Sequence, residues 1–303
     1  SEVILLIKYI YLLLKIKPDF YFAFTIKPNI YGSLACRLLK IKYVNNITGL
    51  GSPFIENSYT KKILVLLYKI ALKKSIKILF HNKDDKKLFI SNKISNLSNS
   101  SVIPGSGINL EKVKNININK FPSTPNFLFI GRIIKDKGIH EFLESIEIVK
   151  REKPLINFTI IGNIDYENNT KIDKEEFLSK CKKNNVKYFG FTSNIFEHIV
   201  NASCIVLPSY REGLPRVILE AGLCARPVIV TDTPGCRDIV TNEFNGLLCY
   251  IKDSNHLAQQ ILKIISLDAY SFKLMGKRNK EVIEKFYDEN IISNKYLDLI
   301  INN

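Results

Sequence analysis

The sequence predicts an α/β protein of two domains, each a parallel sheet with helices on its faces. Three observations lead there. From residue 20 onward, short apolar runs alternate with helix-length patterns, as crossover-connected parallel strands require. Glycine and polar residues follow the apolar runs directly, at 131–132, 162–163, 208–213 and 231–235. Ligands of such sheets lie beyond the carboxyl ends of the strands. One aperiodic polar stretch, 112–125, with several Asn and two Pro, interrupts the alternation.

Taken in order, the chain opens on VILLIKYIYLLLKIKP, where Lys8 and Lys15 interrupt the apolar run and Pro18 and Asp19 stop it. No segment reaches the ~18–20 uninterrupted apolar residues of a spanning helix, so this one reads as a buried helix leading into the first strand. Strands are expected at 20–25, 41–46, 77–81 and 101–103, then at 126–131, 156–161, 186–189, 203–207 and 227–231. The polar stretch divides them. Residues 1–118 form the expected first domain, 119–285 the second, and 286–303 a C-terminal helix that packs back on the first.

Apolar residues make up 46% of the 303 and charged residues 24%, the balance of a globular protein with a large core. The net charge of +15 is unevenly placed. Residues 1–120 carry 20 Lys/Arg against 6 Asp/Glu, and residues 121–303 carry 24 against 23. The first part therefore faces an anionic partner. Within it, TKKILVLLYKIALKKSIK at 60–77 sets Lys62, Lys69, Lys73 and Lys77 on one helical arc, with Leu64, Leu67 and Ala71 opposite. Such a helix suits an anionic membrane surface. Nucleic acid is not expected, because the aromatics read as core strands rather than a stacking platform. The six cysteines lack C-x-x-C spacing and sit in apolar runs, so they read as buried free thiols.

The chemistry concentrates at 208–226, PSYREGLPRVILEAGLCAR. Glu212 lies in a Gly/Pro loop after a strand, and Glu220 lies two turns along the helix that follows. Both can accept hydrogen bonds from a hydroxyl-rich ligand, and the helix start between them offers backbone N–H groups to a phosphate. GRIIKDKGI at 131–139 places Arg132 and Lys137 five apart beyond a strand, where two cations can hold a diphosphate. Gly162 and Asn163 end another strand, and a glycine there lets a planar ring approach the backbone.

These motifs, with PVIVTDTPGCRDIV at 227–240, NGLL at 245–248, and TIKPNIYG, NNITGLG, FHNKDD and IPGSG in the first part, resemble the retaining glycosyltransferases of family 4. The likeness spans roughly residues 18–290 and is to the branch that builds bacterial cell-surface glycans on lipid carriers. It implies the GT-B fold, two Rossmann-like domains facing a cleft, the first incomplete at its start. It implies that Arg132 and Lys137 clamp the donor pyrophosphate and that Glu212 faces the donor sugar. Glu220 would take the ribose hydroxyls, Gly213 and Leu214 would offer amides, and Gly131, Gly162 and Asn163 would border the nucleotide. Arg216 lies in the same loop, within reach of the phosphates.

Thr25, Lys27, Gly105, Ser106 and Gly107 fall on the acceptor side. His81, at a strand end, reads as structural. The implied reaction moves a hexose or N-acetylhexosamine from a UDP-sugar to a polyprenyl-diphosphate-linked or glycan acceptor at the inner membrane face. No metal or other cofactor is expected. The alternatives are a nucleotide-sugar-binding remnant without turnover and a GT-B sugar-nucleotide epimerase.

Overall fold

A computed structural model describes residues 2–50, 54 and 59–301, which fall into two compact units. The first comprises the chain up to Ser106 together with the segment from Asn290 onward; the second is Gly107–Glu289.

In the first unit the order is α1 (Glu2–Ile16), β1 (Phe20–Phe24), a π-helical turn (Pro28–Gly32), α2 (Ser33–Leu39), β2 (Lys42–Ile47), α3 (Tyr59–Ala71), β3 (Lys77–Phe80), α4 (Lys83–Ser91) and β4 (Ser100–Val102). The four strands pair in sequence order and all in parallel, with Phe20 opposite Lys42, Val44 opposite Lys77 and Ile78 opposite Ser100. Strand alternation sorts the side chains. Tyr43 and Ile47 point to the face where Leu13, Cys36, Tyr68 and Phe89 pack, and Val44 and Leu79 point to the other. Two buried asparagines of β2 are tied to the turn after β1. Asn45 donates to Asn29 Oδ1 at 2.9 Å and to Ser33 Oγ at 2.7 Å, and Asn46 donates to the Ala23 carbonyl.

The second unit runs β5 (Asn126–Ile130), α5 (Ile139–Glu152), β6 (Asn157–Ile161), α6 (Lys174–Lys183), β7 (Lys187–Tyr188), α7 (Ile195–Val200), β8 (Cys204–Leu207), α8 (Arg216–Leu223), β9 (Val228–Thr231), β10 (Leu247–Cys249), α9 (Ser254–Ser266) and α10 (Ala269–Phe286). Its sheet order is β10-β9-β8-β5-β6-β7, again all parallel. The chain builds outward from β5 in one direction, then returns and builds from β8 in the other. The switch in direction falls between β5 and β8, where open α/β sheets hold their ligands. Phe127 and Phe129 of β5 join the core under α5 and α9, and Leu128 joins the core under α8. The last helix, α11 (Glu289–Ile301), lays Ile292, Tyr296 and Leu299 on the β2–β3 face of the first unit, and Tyr296 Oη donates to Asn46 Oδ1 at 2.6 Å.

Four expectations need correction. The units divide at Ser106–Gly107, not after 118. Ile108 and Val113 belong to the second core with Ile283 and Tyr287, and Ile108 N–H donates to the Tyr287 carbonyl at 2.7 Å. The segment therefore joins the second unit although its sequence is polar. Lys77 is not on the basic helix: α3 ends at Ala71 and Lys77 opens β3, its Nζ on the Ser98 carbonyl. The opening helix is not buried. Leu13 alone is fully inside, while Ile7 and Tyr11 are 59% and 68% exposed, because α1 packs only its Leu6, Tyr9, Ile10 and Leu13 side. Finally, β10 was not expected: it overlaps the NGLL segment, which reads as a motif and not as a strand.

Arg226 organises the end of the second unit away from the strand carboxyl termini. Its side chain is fully buried, and it donates to the carbonyls of Ile118, Cys224, Lys120 and Val200 while its guanidinium lies 4.1 Å from the Phe121 ring centroid. Burial lowers its pKa to about 10, which still leaves it charged at neutral pH. Arg226→Met keeps the volume but strands four carbonyls, and it should cost roughly 2–4 kcal/mol. Thermal unfolding measures this directly, and Arg226→Lys should recover only part of it, because an ammonium lacks the planar fork.

Candidate active site

The site grows from loops that leave neighbouring strands at the switch point. The loop after β5 lies on the loop after β6: Gly131 N–H donates to the Ile161 carbonyl at 3.0 Å, and Ile133 N–H to that of Asn163 at 2.8 Å. It also meets the loop after β8, where Tyr210 N–H donates to the Asp136 carbonyl at 2.9 Å. Two glycines make these approaches possible. Gly138 has φ +72°, and a Cβ there would overlap the Pro208 carbonyl; Gly162 has φ +146°, and a Cβ would overlap that of Gly131. The glycine at 162 is thus explained by loop packing, whatever else it borders.

Further bonds fix the 208–213 loop. Tyr210 Oη donates to Glu141 Oε1 at 2.7 Å, the Lys252 ammonium lies 4.9 Å from the Tyr210 ring centroid, and Thr231 Oγ1 donates to the Ser209 carbonyl. Burial, followed by the Glu141 hydrogen bond, pushes the Tyr210 phenol above its ordinary range, so it remains a donor. From the β9 side, Gly235 lies against the carbonyls of Glu212 and Gly213.

On this frame Lys137 Nζ and Glu212 Oε1 meet at 2.5 Å, with side chains 22% and 12% exposed. The pair bridges the β5 and β8 loops across the switch point. Arg132 is placed differently. Its Nη1 bonds Asp165 Oδ2 at 3.0 Å, on the loop after β6, and its side chain is 59% exposed. The two cations, expected to converge on one point, are therefore each held by a different acid. Glu220 is in a third setting, where Arg216 Nε, one turn earlier on α8, reaches its Oε1 at 3.2 Å. Burial raises the pKa of Glu220, and Arg216 and then Lys112 oppose that rise.

Beside Arg132 a cavity of 610 Å³ opens between the β6 and β7 ends, lined by Gly131, Gly162, Asn163, Asp165, Phe191 and Ile195 among others. It brings together three of the residues expected to border a nucleotide. Leu214 packs its side chain on the core below α8, and Gly213 lies beside Gly235.

The residues expected on the acceptor side stand at the end of β1 and around the boundary between the units. Thr25 follows β1 with φ +65°, and its carbonyl accepts from Asn29. Lys27 Nζ pairs with Glu2 at 3.2 Å. Gly105 and Gly107 have φ +67° and +69°, and Gly107 lies against the Glu289 backbone. Ser106 ends the first unit between them. His81 is driven down to about 4 by burial, which leaves it neutral at pH 7. The six cysteines are buried and unpaired, as expected. Tyr210, Glu141 and Asp165 were missed. Tyr210 stood inside the quoted motif, whereas nothing in the spacing of Glu141 or Asp165 points to their partners.

Residues 111–285 match the family model of glycosyl transferases group 1, and residues 1–82 match that of glycosyl transferase 4-like proteins. The first match covers more than half the chain. This chain is a group 1 glycosyl transferase. It is 31% identical to the N,N'-diacetylbacillosaminyl-diphospho-undecaprenol alpha-1,3-N-acetylgalactosaminyltransferase of Campylobacter jejuni, over 90% of this chain and 74% of that protein. It is 27% identical to the capsular polysaccharide biosynthesis glycosyltransferase CapM of Staphylococcus aureus, over 96% of this chain and 79% of that protein. Among solved structures, Anabaena HepE in complex with UDP superposes with a TM-score of 0.81 at 18% identity, covering 99% of this chain and 82% of that one. The fold is thus the GT-B fold, as the motifs implied.

The backbone approach at Gly138 yields a test on this glycosyltransferase. Gly138→Ala should lower stability by about 2–4 kcal/mol, since both the positive φ and the overlap with the Pro208 carbonyl oppose a Cβ. Urea unfolding followed by circular dichroism measures it, and a loss below about 0.5 kcal/mol would contradict the packing described.

Proposed function

We propose that this glycosyltransferase retains configuration while moving a hexose or N-acetylhexosamine from a UDP-sugar to a polyprenyl-diphosphate-linked or surface-glycan acceptor. The observation that carries the reading is the Lys137–Glu212 pair at the switch point, with the Arg132 cavity beside it. An anionic diphosphate drawn to Lys137 arrives next to a carboxylate that can accept from sugar hydroxyls. Arg132, on the cavity wall, supplies the second cation, and the two together neutralise charge on the departing diphosphate. Glu220 takes the ribose hydroxyls, the Gly213–Leu214 amides face the sugar or phosphate, and the base lies in the cavity near Gly162 and Asn163. Attack occurs on the face from which the diphosphate leaves, through an oxocarbenium-like state, with a donor phosphate oxygen as base. No resident cofactor enters this scheme.

The Campylobacter relative and the Escherichia coli UDP-Gal:alpha-D-GlcNAc-diphosphoundecaprenol alpha-1,3-galactosyltransferase, 26% identical over 96% of this chain, support the lipid-linked acceptor. HepE, in complex with UDP, supports the donor. Thr25, Lys27 and the 105–107 segment are assigned to the acceptor side.

We assign the chain to the cytoplasmic face of the membrane, bound peripherally through α3. No helix among the described residues is long and apolar enough to cross a bilayer. On α3, Lys62 and Lys69 share the exposed face with Tyr59, Ile63, Leu66 and Ile70, and Lys73 follows in the next turn. Apolar side chains between lysines suit an interface better than a lysine face made only for water. No role in nucleic-acid binding is assigned.

UDP should raise the melting temperature of the unmutated protein, and Glu220→Ala or Arg132→Ala should remove most of that shift. Release of UDP from donor and acceptor should fall about 10²–10³-fold in Lys137→Ala and in Glu212→Ala. A UDP-stabilised protein that never releases UDP in the presence of undecaprenyl-diphosphate-linked acceptors would instead be a binding remnant.

Vesicles containing phosphatidylglycerol should sediment with the protein, less so as salt rises. Replacing Lys62, Lys69 and Lys73 together by Ala should weaken that binding about 100-fold, at ~1 kcal/mol for each lysine.

A further inference from the structure

Glu220 and Arg216 form a device that the donor-site reading does not assign. Glu220 stands on α8 between Leu219 and Ala221, both in the core, and its own side chain is 13% exposed. Arg216 opens the helix and is 54% exposed, with Nε 3.2 Å from Glu220 Oε1. One carboxylate oxygen is thereby held, and Oε2 has no partner among the described residues. A held oxygen beside an open one suits a ligand with two adjacent hydroxyls, because the carboxylate cannot turn away and keeps acceptor capacity.

We propose that Arg216 is a positioning residue for the donor's ribose: it holds one oxygen of Glu220 in place, so that the carboxylate accepts from the 2'- and 3'-hydroxyls. This rests on the assignment of Glu220 to the ribose. It departs from the sequence expectation that Arg216 reaches for the phosphates, since the guanidinium is engaged on the carboxylate.

Arg216 bears on Glu220 from the same helix, and Lys112 from the short turn at Leu110–Val113. Cys224, one turn further, is a buried thiol pushed up to about 12 and so is uncharged. α10, packed on α8, brings Lys280, which bears on Cys224. Burial favours the protonated acid, and Arg216 is the first of the groups opposing it. A protonated carboxyl keeps a proton on one oxygen and accepts less well from two hydroxyls.

The sign follows. Donor binding favours the ionised form, so affinity falls as pH drops through the pKa of Glu220 in the free protein. Removing Arg216 raises that pKa and moves the fall to higher pH.

The experiment is isothermal titration of UDP and of 2',3'-dideoxy-UDP across about pH 5 to 8, with the unmutated chain, Arg216→Ala, Arg216→Lys, Glu220→Gln and the Ala/Gln double variant. Arg216→Ala should weaken UDP binding about tenfold and shift its acid limb upward, with Arg216→Lys between it and the unmutated chain. Adding Arg216→Ala to Glu220→Gln should cost nothing more, and dideoxy-UDP should be blind to both changes. An unmoved acid limb in Arg216→Ala, or an equal loss for dideoxy-UDP, would overturn the proposal, the latter by placing Arg216 on the phosphates. If the unmutated chain fails to bind UDP at any pH, the donor reading itself falls, and the result is distinct because no variant is needed to see it.

Discussion

The arrangement of the site depends on backbone lying directly on backbone at the carboxyl ends of β5, β6 and β8. No side chain separates Gly138 from the Pro208 carbonyl, or Gly162 from that of Gly131. The gain is proximity. A lysine on the β5 loop and a glutamate on the β8 loop can then touch although they are 75 residues apart in the chain. The switch in strand order creates the space, and small residues let the loops close around it. Tyr210, bonded through its hydroxyl to Glu141 and through its N–H to Asp136, keeps the two loops in register.

Charge is handled in the same economical way at both ends of the second unit. Near the strand carboxyl ends, each cation singled out by the motifs holds one acid: Lys137 with Glu212, Arg132 with Asp165 and Arg216 with Glu220. Each pair includes a partner that is at least three-quarters buried, where an unpaired charge would be costly. At the opposite end Arg226 is spent on four carbonyls and fastens the segment that enters the unit. The stretch 107–120 therefore belongs to the second unit by its bonds and its buried Ile108 and Val113, although the composition of 112–120 reads as a linker.

Nine strands were legible within a residue or two, because each is a short apolar run set between polar or turn-forming residues, and the central ones, β8 and β9, are buried on both faces. The motif residues of the second unit were legible because loop chemistry at strand ends follows from the fold class. What escaped was of two kinds. The 107–118 segment is aperiodic and polar, and β10 overlaps a motif that hid its strand character. Surface and burial on α1 could not be read, because an apolar pattern states a preference for cover and not whether a neighbour supplies it.

The sequence by itself determined the parallel α/β class, the strand positions and the identity of the residues at the strand ends, since these rest on local periodicity and on the restricted conformations of Gly and Pro. Only the tertiary structure decided which acid each cation meets. Those pairings join loops from different strands, and the order in which strands lie side by side is set by packing of the whole sheet. Lys137 could not be matched to Glu212, nor Arg132 to Asp165, until β5 was seated between β8 and β6.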